Sequence, residues 1–205
     1  MRTETQKRNN RFKDENYTLS NFQNEIFVEC PNCSKRATVT KETPFSYYSE
    51  RTISCPNCHF SQKGRKQNYR VELNCNCSNC SKEINLIIPS VNEKKEKIAI
   101  KCKNCGKTQE YAPRNIAQEW IYRSNGKPSD DYFGLPLWIS SNFKDYIFWA
   151  YNYEHLNYLK LYISAEIRES NNRTHWTMIE KLPVWMSSAK NREKLMKIIK
   201  ELEIK

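Results

Sequence analysis

Hydrophobic and polar residues alternate in short segments through the first half of the chain. The alternation is clear in Tyr69–Leu73 and Lys97–Ile100, and apolar residues cluster at Ile26-Phe27-Val28 and at Ile84, Leu86 and Ile87. A period of two places every second side chain on one face, which is typical of a half-buried β-strand. A turn in residues 43–48 followed by a strand at Arg51-Thr52-Ile53 extends the pattern. This half is therefore predicted to consist of short antiparallel strands.

The pattern changes after Pro113, where longer elements are expected. Residues Pro113–Ile121 are predicted to form a short helix with proline at a tolerated first-turn position. Apolar residues at 135–139 and 146–149 flank a polar turn, as in a β-hairpin. A further helical segment is expected from Lys181 to Trp185.

Two amphipathic helices are predicted near the C-terminus. Asn152 is expected to cap a helix of about 17 residues, and Asn191 is expected to cap the last helix. Helical spacing predicts that the two helices bury Leu156, Leu159, Ile163 and Ile167, and Leu195, Ile198, Ile199 and Leu202, respectively. Lys194, Lys197 and Lys200 are expected to face outward.

Eight cysteines divide the region of predicted strands into two copies of one unit. They form four Cys-x-x-Cys pairs: Cys30 and Cys33, Cys55 and Cys58, Cys77 and Cys80, and Cys102 and Cys105. In each copy 21 residues separate the two pairs, and a shift of 47 residues brings the first set onto the second at all four positions. Flanking residues repeat as well, including Asn32 with Asn79 and Asn57 with Asn104. The first half of the chain is therefore a tandem duplication.

The spacing of these cysteines favours zinc. Zn²⁺ takes four ligands at tetrahedral corners, and a thiolate pair on a tight turn supplies one edge of that tetrahedron. A disulfide scaffold would require an oxidising compartment, and the polar N-terminus has no signal-peptide core. A thioredoxin-like dithiol would need one reactive pair rather than four regular ones. The sequence predicts two Zn²⁺ per chain, with Cys75 and His59 left outside the ligand sets.

The four pairs and the apolar residues around them resemble the zinc ribbons of transcription elongation and initiation factors. The resemblance covers about residues 25–111 and implies small antiparallel sheets with a Cys-x-x-Cys knuckle at each of two turns. Glycine follows the second cysteine in the common knuckle, but here only Gly106 fits, and Ser34, His59 and Ser81 stand at the other positions. Ribbons serve DNA, RNA, polymerase and protein contacts, so the resemblance does not define a function.

A second resemblance covers about residues 131–204. The segments that carry it are Phe133-Gly134-Leu135-Pro136-Leu137-Trp138, Trp149-Ala150-Tyr151-Asn152 with His155-Leu156, Leu182-Pro183-x-Trp185 and Ala189-Lys190-Asn191-Arg192. They resemble a module of uncharacterised bacterial zinc-ribbon proteins. This resemblance implies a bacterial or phage-type cytoplasmic setting and supplies no activity.

Together these patterns predict an α+β protein with two antiparallel β zinc ribbons in tandem, followed by a β-hairpin and helical module. The expected boundaries are a flexible basic and polar arm at 1–24, ribbons at 25–66 and 67–112, and the C-terminal module at 113–205.

The charge distribution suggests an anionic partner. The formal net charge is +11, and two four-thiolate zinc centres, each adding −2, would lower it to about +7. No acidic residue lies between Arg51 and Val71, where the basic residues are Arg51, Lys63, Arg65, Lys66 and Arg70. Phe45, Tyr47 and Tyr48 lie nearby in sequence and are candidates for stacking on unpaired bases. DNA or RNA binding is therefore predicted here, against the simpler alternatives of a solvated linker and cross-strand packing.

The sequence gives little support to catalysis. It contains no Gly-rich phosphate loop, nucleophile elbow or His-Glu-x-x-His motif. No small-molecule substrate is evident, and no apolar run approaches the roughly 20 residues of a membrane span. A non-enzymatic, cytoplasmic nucleic-acid-binding accessory protein is expected. The alternative is a protein-interaction adaptor with Trp138, Trp149 and Trp185 in an apolar docking surface.

Overall fold

The computed structural model describes residues 11–44, 46, 49–169 and 176–205. The chain divides into two compact units, of which the first comprises Met1–Gly64 and Tyr122–Lys205 and the second comprises Arg65–Ile121. Strands dominate and the helices lie towards the C-terminus, so the predicted α+β class is confirmed. The second ribbon is thus an insertion within the chain of the first unit.

The first unit begins with an antiparallel sheet that carries the first four cysteines. Its order is β2 (Glu25–Glu29), β3 (Arg36–Lys41), β4 (Arg51–Ser54) and β5 (Ser61–Lys63). Alternation along these strands buries one face, with Ile26, Val28, Ala37, Val39 and Ile53 at most 1% exposed. The predicted first ribbon therefore forms.

The C-terminal residues complete this unit with a hairpin and helices. The hairpin pairs β11 (Ile139–Phe143) with β12 (Tyr146–Ala150). A hairpin was predicted here, but its first strand was placed at 135–139, which overlaps β11 only at Ile139; Pro136 and Leu137 instead form isolated bridges to Ser129 and Val28. The helices are α1 (Tyr153–Ser164), α2 (Val184–Ser187) and α3 (Arg192–Glu203), with 3₁₀ turns at Leu19–Phe22, Ile179–Lys181 and Ala189–Asn191.

The predicted helix caps were right in one case and wrong in the other. The Asn152 side chain accepts a hydrogen bond from the His155 N–H at 2.8 Å, as a cap should. Helix α1 has 12 residues rather than about 17, and Ile167 lies in strand β13 (Ile167–Glu169). The Asn191 side chain makes no cap bond and instead donates to the Trp185 carbonyl at 2.9 Å.

Residues 11–24 pack into the first unit, in contrast to the expected flexible arm at 1–24. Strand β1 (Arg11–Lys13) pairs in parallel with β13, and the side chains of Phe12 and Phe22 are buried. The buried Asp14 carboxylate accepts hydrogen bonds from the hydroxyls of Tyr158 and Thr177, at 2.7 and 2.8 Å. Two aromatic anchors and a buried carboxylate hold this segment, and residues 1–10 lie outside the described range.

The first ribbon and the C-terminal residues share one core, so the expected boundaries at 66 and 112 do not separate them. The buried cluster combines ribbon residues such as Val39 with Phe133, Leu135 and residues of α1 and α3. Main-chain bonds join them too, from the Phe27 N–H to the Tyr151 carbonyl at 2.7 Å and from the Trp138 N–H to the Phe27 carbonyl at 2.9 Å. A single small sheet cannot bury its own apolar face, and the C-terminal residues supply the missing layer.

The second unit contains two small sheets. One has the order β10 (Arg114–Glu119), β6 (Gln67–Asn76) and β7 (Glu83–Val91), and the other pairs β8 (Ile98–Lys101) with β9 (Thr108–Tyr111). The helix predicted for 113–121 is wrong, because these residues form β10 along the outer edge of β6. In that position β10 forms hydrogen bonds with the main-chain groups of β6 that face away from β7. Pro113 lies just outside the strand, where proline is tolerated.

Within the described residues, no helix combines the length and apolar character needed to span a membrane.

Candidate metal centres

Each Cys-x-x-Cys pair sits on a tight turn that main-chain hydrogen bonds close. The N–H of the first cysteine donates to a carbonyl five residues later at 2.8–2.9 Å, with Lys35, Phe60, Lys82 and Lys107 as acceptors. The residue after the second cysteine has a positive φ in all four turns: 57° at Ser34, 58° at His59, 58° at Ser81 and 72° at Gly106. The three non-glycine residues therefore keep the knuckle conformation that glycine adopts most easily.

The turns bring the eight predicted ligands into two groups, and within each group the four sulfur atoms lie within 4.8 Å of one another. In the first group Cys30 Sγ lies 3.6 Å from Cys58 Sγ, and Cys33 Sγ lies 3.6 Å from Cys55 Sγ. The corresponding distances in the second group are 3.8 Å for Cys77 and Cys105 and 3.7 Å for Cys80 and Cys102.

These separations suit a tetrahedral metal ion. A Zn–S bond of about 2.3 Å gives a tetrahedron edge of about 3.8 Å, whereas a disulfide would need about 2.0 Å between sulfurs. All nine cysteines are free thiols. Each group can therefore hold one metal ion with four protein ligands.

Burial differs along each ligand set in the same way. The first cysteine of every pair is buried: Cys30, Cys55, Cys77 and Cys102. The second cysteines are half-buried at Cys33, Cys58 and Cys80 and exposed at Cys105. One edge of each tetrahedron thus faces the protein and the other faces outward.

Asparagines at repeated positions donate hydrogen bonds to the sulfurs. The Asn57 side chain donates to Cys33 Sγ at 3.5 Å, and Asn104, 47 positions later, donates to Cys80 Sγ at 3.5 Å. In the first group the Asn32 N–H also donates to Cys30 Sγ at 3.4 Å. The repeat of these asparagines beside the cysteines is visible in the sequence, but their hydrogen bonds to the sulfurs were not predicted.

The environment separates the acidities of the thiols. The Asn32 side-chain hydrogen bond is the main cause that lowers the pKa of Cys58 to about 6, whereas burial raises the pKa of Cys30 to about 12. Four thiolates this close repel one another unless a cation is bound. Metal binding to either group therefore releases protons.

Neither Cys75 nor His59 belongs to the two groups found among the described residues. Cys75 lies on β6 opposite Ile84 and is half-buried, whereas its counterpart Val28 is fully buried. His59 is exposed on the knuckle turn.

The predicted basic surface at Arg51–Val71 is largely paired with acidic groups. Arg51 is only 5% exposed, and its guanidinium donates to the Asp131 carboxylate at 2.7 Å. The remaining pairs are Lys63 with Glu42 and Glu50 at 2.9 and 3.4 Å, Arg65 with Glu119, and Arg70 with Glu72 at 2.8 Å. The run without acids in sequence is thus matched by acids that lie outside it, including Glu72 on the same strand as Arg70. Phe45, Tyr47 and Tyr48 lie outside the described residues.

The geometry defines a protein with two ribbon-like β units, each carrying a four-cysteine group that can bind a metal ion. Comparisons with models of protein families, with curated proteins and with solved structures gave no match.

Proposed function

We propose that each four-cysteine group binds one structural Zn²⁺ and that the protein is a non-enzymatic, cytoplasmic protein-interaction adaptor. The observation that carries the proposal is that the two copies of the ribbon are packed differently. The first ribbon is part of a large core, whereas the second forms a unit of its own. A separate, metal-held β unit is suited to presenting a binding surface.

Zinc fits both the ligand set and the small size of the second unit. Four thiolates in a tetrahedron are typical of zinc or of an iron site, and zinc needs no redox partner. The buried apolar side chains of the second unit are Val71, Leu73, Cys77 and Cys102, and two of these are ligands. So small a core needs the free energy of metal binding to fold.

A structural role follows from the closed ligand sets. Four cysteines fill a tetrahedron, whereas catalytic zinc keeps one position for water or substrate. The buried His155 is also poorly suited to catalysis, because burial lowers its pKa to about 4 and its Nδ1 accepts the Tyr151 N–H at 3.2 Å. Its ring stacks on Phe22 at 4.8 Å.

Nucleic-acid binding is the second candidate. It is supported by the second unit, where 11 Lys and Arg residues stand against 6 Asp and Glu residues between 65 and 121. Against it, most of the predicted contact residues have carboxylate partners and would have to break ion pairs to reach phosphates. This is why the adaptor is preferred.

One experiment separates the two functions. Full-length, zinc-loaded protein is immobilised, exposed to host lysate with and without nuclease, and washed at increasing salt. An adaptor retains the same proteins after nuclease treatment. A nucleic-acid-binding protein loses its partners to nuclease and shows an affinity for DNA or RNA that falls steeply with salt, by a slope of about 0.7–0.9 per phosphate contact. Retention of nucleic acid alone would overturn the adaptor.

A further inference from the structure

The two ribbons keep the same strand register except at one place. Ile26 pairs with Val39 in the first ribbon, and Leu73 pairs with Leu86, each 47 positions later, in the second. The pairing of Ile53 with Gln62 likewise recurs as Ile100 with Gln109. The duplication has therefore preserved the outer pairings of the ribbon.

The exception is the central pairing. In the first ribbon β3 pairs with β4, which places Val39 opposite Ile53. Their counterparts are β7 and β8, and these strands belong to separate sheets. Among the described residues, β7 and β8 each have a sheet neighbour on one side only. The second ribbon is an open version of the first.

A cleft occupies the place of the missing pairing. It has a volume of about 470 Å³ and is lined by residues 82–86 at the start of β7 and by residues 100–104 at the end of β8. Cys102 is among the lining residues, so one end of the cleft lies at the metal group. The strands converge on this group because it holds cysteines from both knuckle turns.

The apolar residues in the cleft are larger than their counterparts and less well covered. Ile84 and Leu86 replace Ala37 and Val39 of the first ribbon. Ala37 and Val39 are at most 1% exposed, whereas Ile84, Leu86 and Ile100 remain partly exposed. Larger aliphatic side chains at less covered positions indicate a surface that a partner covers.

The charge of the cleft is also specific to the second ribbon. Lys82, Lys101 and Lys103 line it with one acid, Glu83, and none of the three lysines has an ion-pair partner among the described residues. Lys82 has a counterpart in Lys35, but Lys101 and Lys103 correspond to Ser54 and Pro56. The first ribbon surrounds the same four cysteines without these two charges, so the metal group does not require them.

We propose that the cleft between β7 and β8 binds an extended acidic segment of a partner protein, which adds a strand to the free edge of β7. The inference rests on the adaptor function and names the chemistry of its partner. Main-chain groups of β7 hydrogen-bond to the added strand, apolar side chains of the partner pack on Ile84, Leu86 and Ile100, and its carboxylates meet the lysines.

Two other occupants fit the cleft less well. The lining contains no aromatic side chain, whereas unpaired bases are bound largely by stacking on aromatic rings. A second copy of this chain would bring another basic surface, because residues 65–121 carry an excess of Lys and Arg. An acidic peptide matches the cleft in both shape and charge.

The probe is a fluorescein-labelled peptide of alternating valine and glutamate, about ten residues long to match β7 (Glu83–Val91). Its binding to full-length, zinc-loaded protein is measured by fluorescence anisotropy. Two control peptides carry lysine in place of glutamate, or N-methyl groups on every second residue so that the main chain cannot pair. Both controls are expected to bind at least about tenfold more weakly than the acidic probe.

Matched protein variants locate the site. Leu86→Ser is expected to weaken binding about tenfold, whereas Ile87→Ser, at the neighbouring exposed position on the opposite face of β7, should leave it unchanged. The double variant Lys101→Ser with Lys103→Pro installs the residues of the first ribbon and should weaken binding. Lys94→Ser with Lys107→Ser removes the same charge from the same unit, outside the cleft lining, and should bind normally. Two zinc ions in every variant show that the fold is retained.

Several results would overturn the inference. These are no binding of the acidic probe, equal binding of the N-methylated probe, or equal effects of Leu86→Ser and Ile87→Ser. A nuclear Overhauser effect between Leu86 and Ile100 in the free protein would show that the sheet closes on itself, and dimerisation on sedimentation that Leu86→Ser abolishes would identify a second copy as the occupant. If host proteins stay bound after nuclease treatment but the acidic peptide does not bind, the cleft is not the binding site, whereas the adaptor function stands. If no host protein is retained, the adaptor function fails.

Discussion

The asparagine beside each metal group contacts a sulfur of the opposite knuckle. Asn57 lies in the turn of Cys55 and Cys58, and its side chain donates to Cys33 Sγ in the other turn of that group. Asn104 donates to Cys80 Sγ in the same way. A donated N–H stabilises a thiolate by offsetting its negative charge. Because the contact recurs at the repeat distance, we infer that it serves the metal groups rather than one local packing arrangement.

Loss of this contact should weaken one site at a time. Asn57→Ala is expected to lower the metal affinity of the first group, and Asn104→Ala that of the second, each by about tenfold, as is usual for groups that support metal ligands. Competition with a chromogenic chelator measures both affinities. Asn74→Ala, at an exposed position on β6, is the control and should leave both sites unchanged. Equal effects of all three variants would show that the asparagines act on general stability.

The buried His155 should make the first unit sensitive to acid. Burial lowers its pKa from 6.5 to about 4 in the folded state, so the unfolded chain binds more protons between these values. Above pH 6.5 this histidine is neutral in both states and its contribution to stability is fully present. As the pH falls towards 4 that contribution is lost, and at pH 5 the free energy of unfolding is lower by about 2 kcal/mol. The loss should be absent in His155→Gln.

Urea unfolding of zinc-loaded protein at pH 7.5 and pH 5 measures this effect. Since metal release also depends on pH, the informative quantity is the difference between wild type and His155→Gln at each pH. His59→Asn, at an exposed histidine, should follow the wild type. If His155→Gln loses as much stability as the wild type on acidification, another group is responsible.

Two arginines explain where helix α1 ends. Arg192 donates to the carbonyls of Ile163 and Ala165 at 3.1 and 2.9 Å, and Arg168 donates to that of Tyr162 at 3.0 Å. The last carbonyls of a helix lack partners within it and carry partial negative charge, which guanidinium groups match. The chain then leaves the helix and Ile167 enters β13.

Arg192→Ala should therefore destabilise the first unit by about 2 kcal/mol, because two charge-assisted hydrogen bonds are lost. Arg192→Lys should recover only part of this, since an ammonium group cannot reproduce the two-pronged geometry. Lys194→Ala, exposed in the same helix, is the control. Urea unfolding followed by circular dichroism gives the free energy of unfolding of all three variants. If Arg192→Ala is as stable as the wild type, Arg192 does not stabilise the end of α1.

The elements that were predicted correctly are those that local sequence specifies. The grouping of eight cysteines into two sets of four followed from their spacing, and the Asn152 cap from a side chain that bonds within its own turn. Apolar runs around a polar turn predicted a hairpin, although its first strand lies at Ile139–Phe143 rather than at 135–139. Strand β10 could not be recognised, because its residues are mostly polar and its conformation depends on the edge of β6. The length of α1 was missed for a similar reason, since Arg192 lies 29 residues from Ile163.

The duplication has produced two ribbons with very different hydrophobic cores. The first shares a core with Phe133, α1, α3 and many other apolar residues. The second has two buried apolar residues apart from its cysteines, Val71 and Leu73. Sequence similarity between the copies does not reveal this difference, because the residues that cover the first ribbon come from the distant C-terminal part of the chain.

Loss of one metal should therefore have unequal consequences in the two units. Cys30→Ser and Cys77→Ser form a matched pair, since both remove a buried ligand at the same position of the repeat. Each variant should contain one zinc by elemental analysis, against two in the wild type. In Cys77→Ser we expect residues 65–121 to lose protection from amide hydrogen exchange, because a unit with so few buried apolar residues would depend on the proposed metal ion for its stability.

In Cys30→Ser the shared core should keep α1 and α3 protected, with exchange rising only around the first knuckles. Cys75→Ala is the control, because this half-buried cysteine lies outside both groups; it should retain two zinc ions and wild-type exchange. If Cys30→Ser unfolds the helices while Cys77→Ser leaves its own unit protected, the first ribbon rather than the second depends on its metal ion for folding. If Cys75→Ala loses a metal ion while Cys77→Ser keeps both, Cys75 rather than Cys77 is the ligand in the second ribbon.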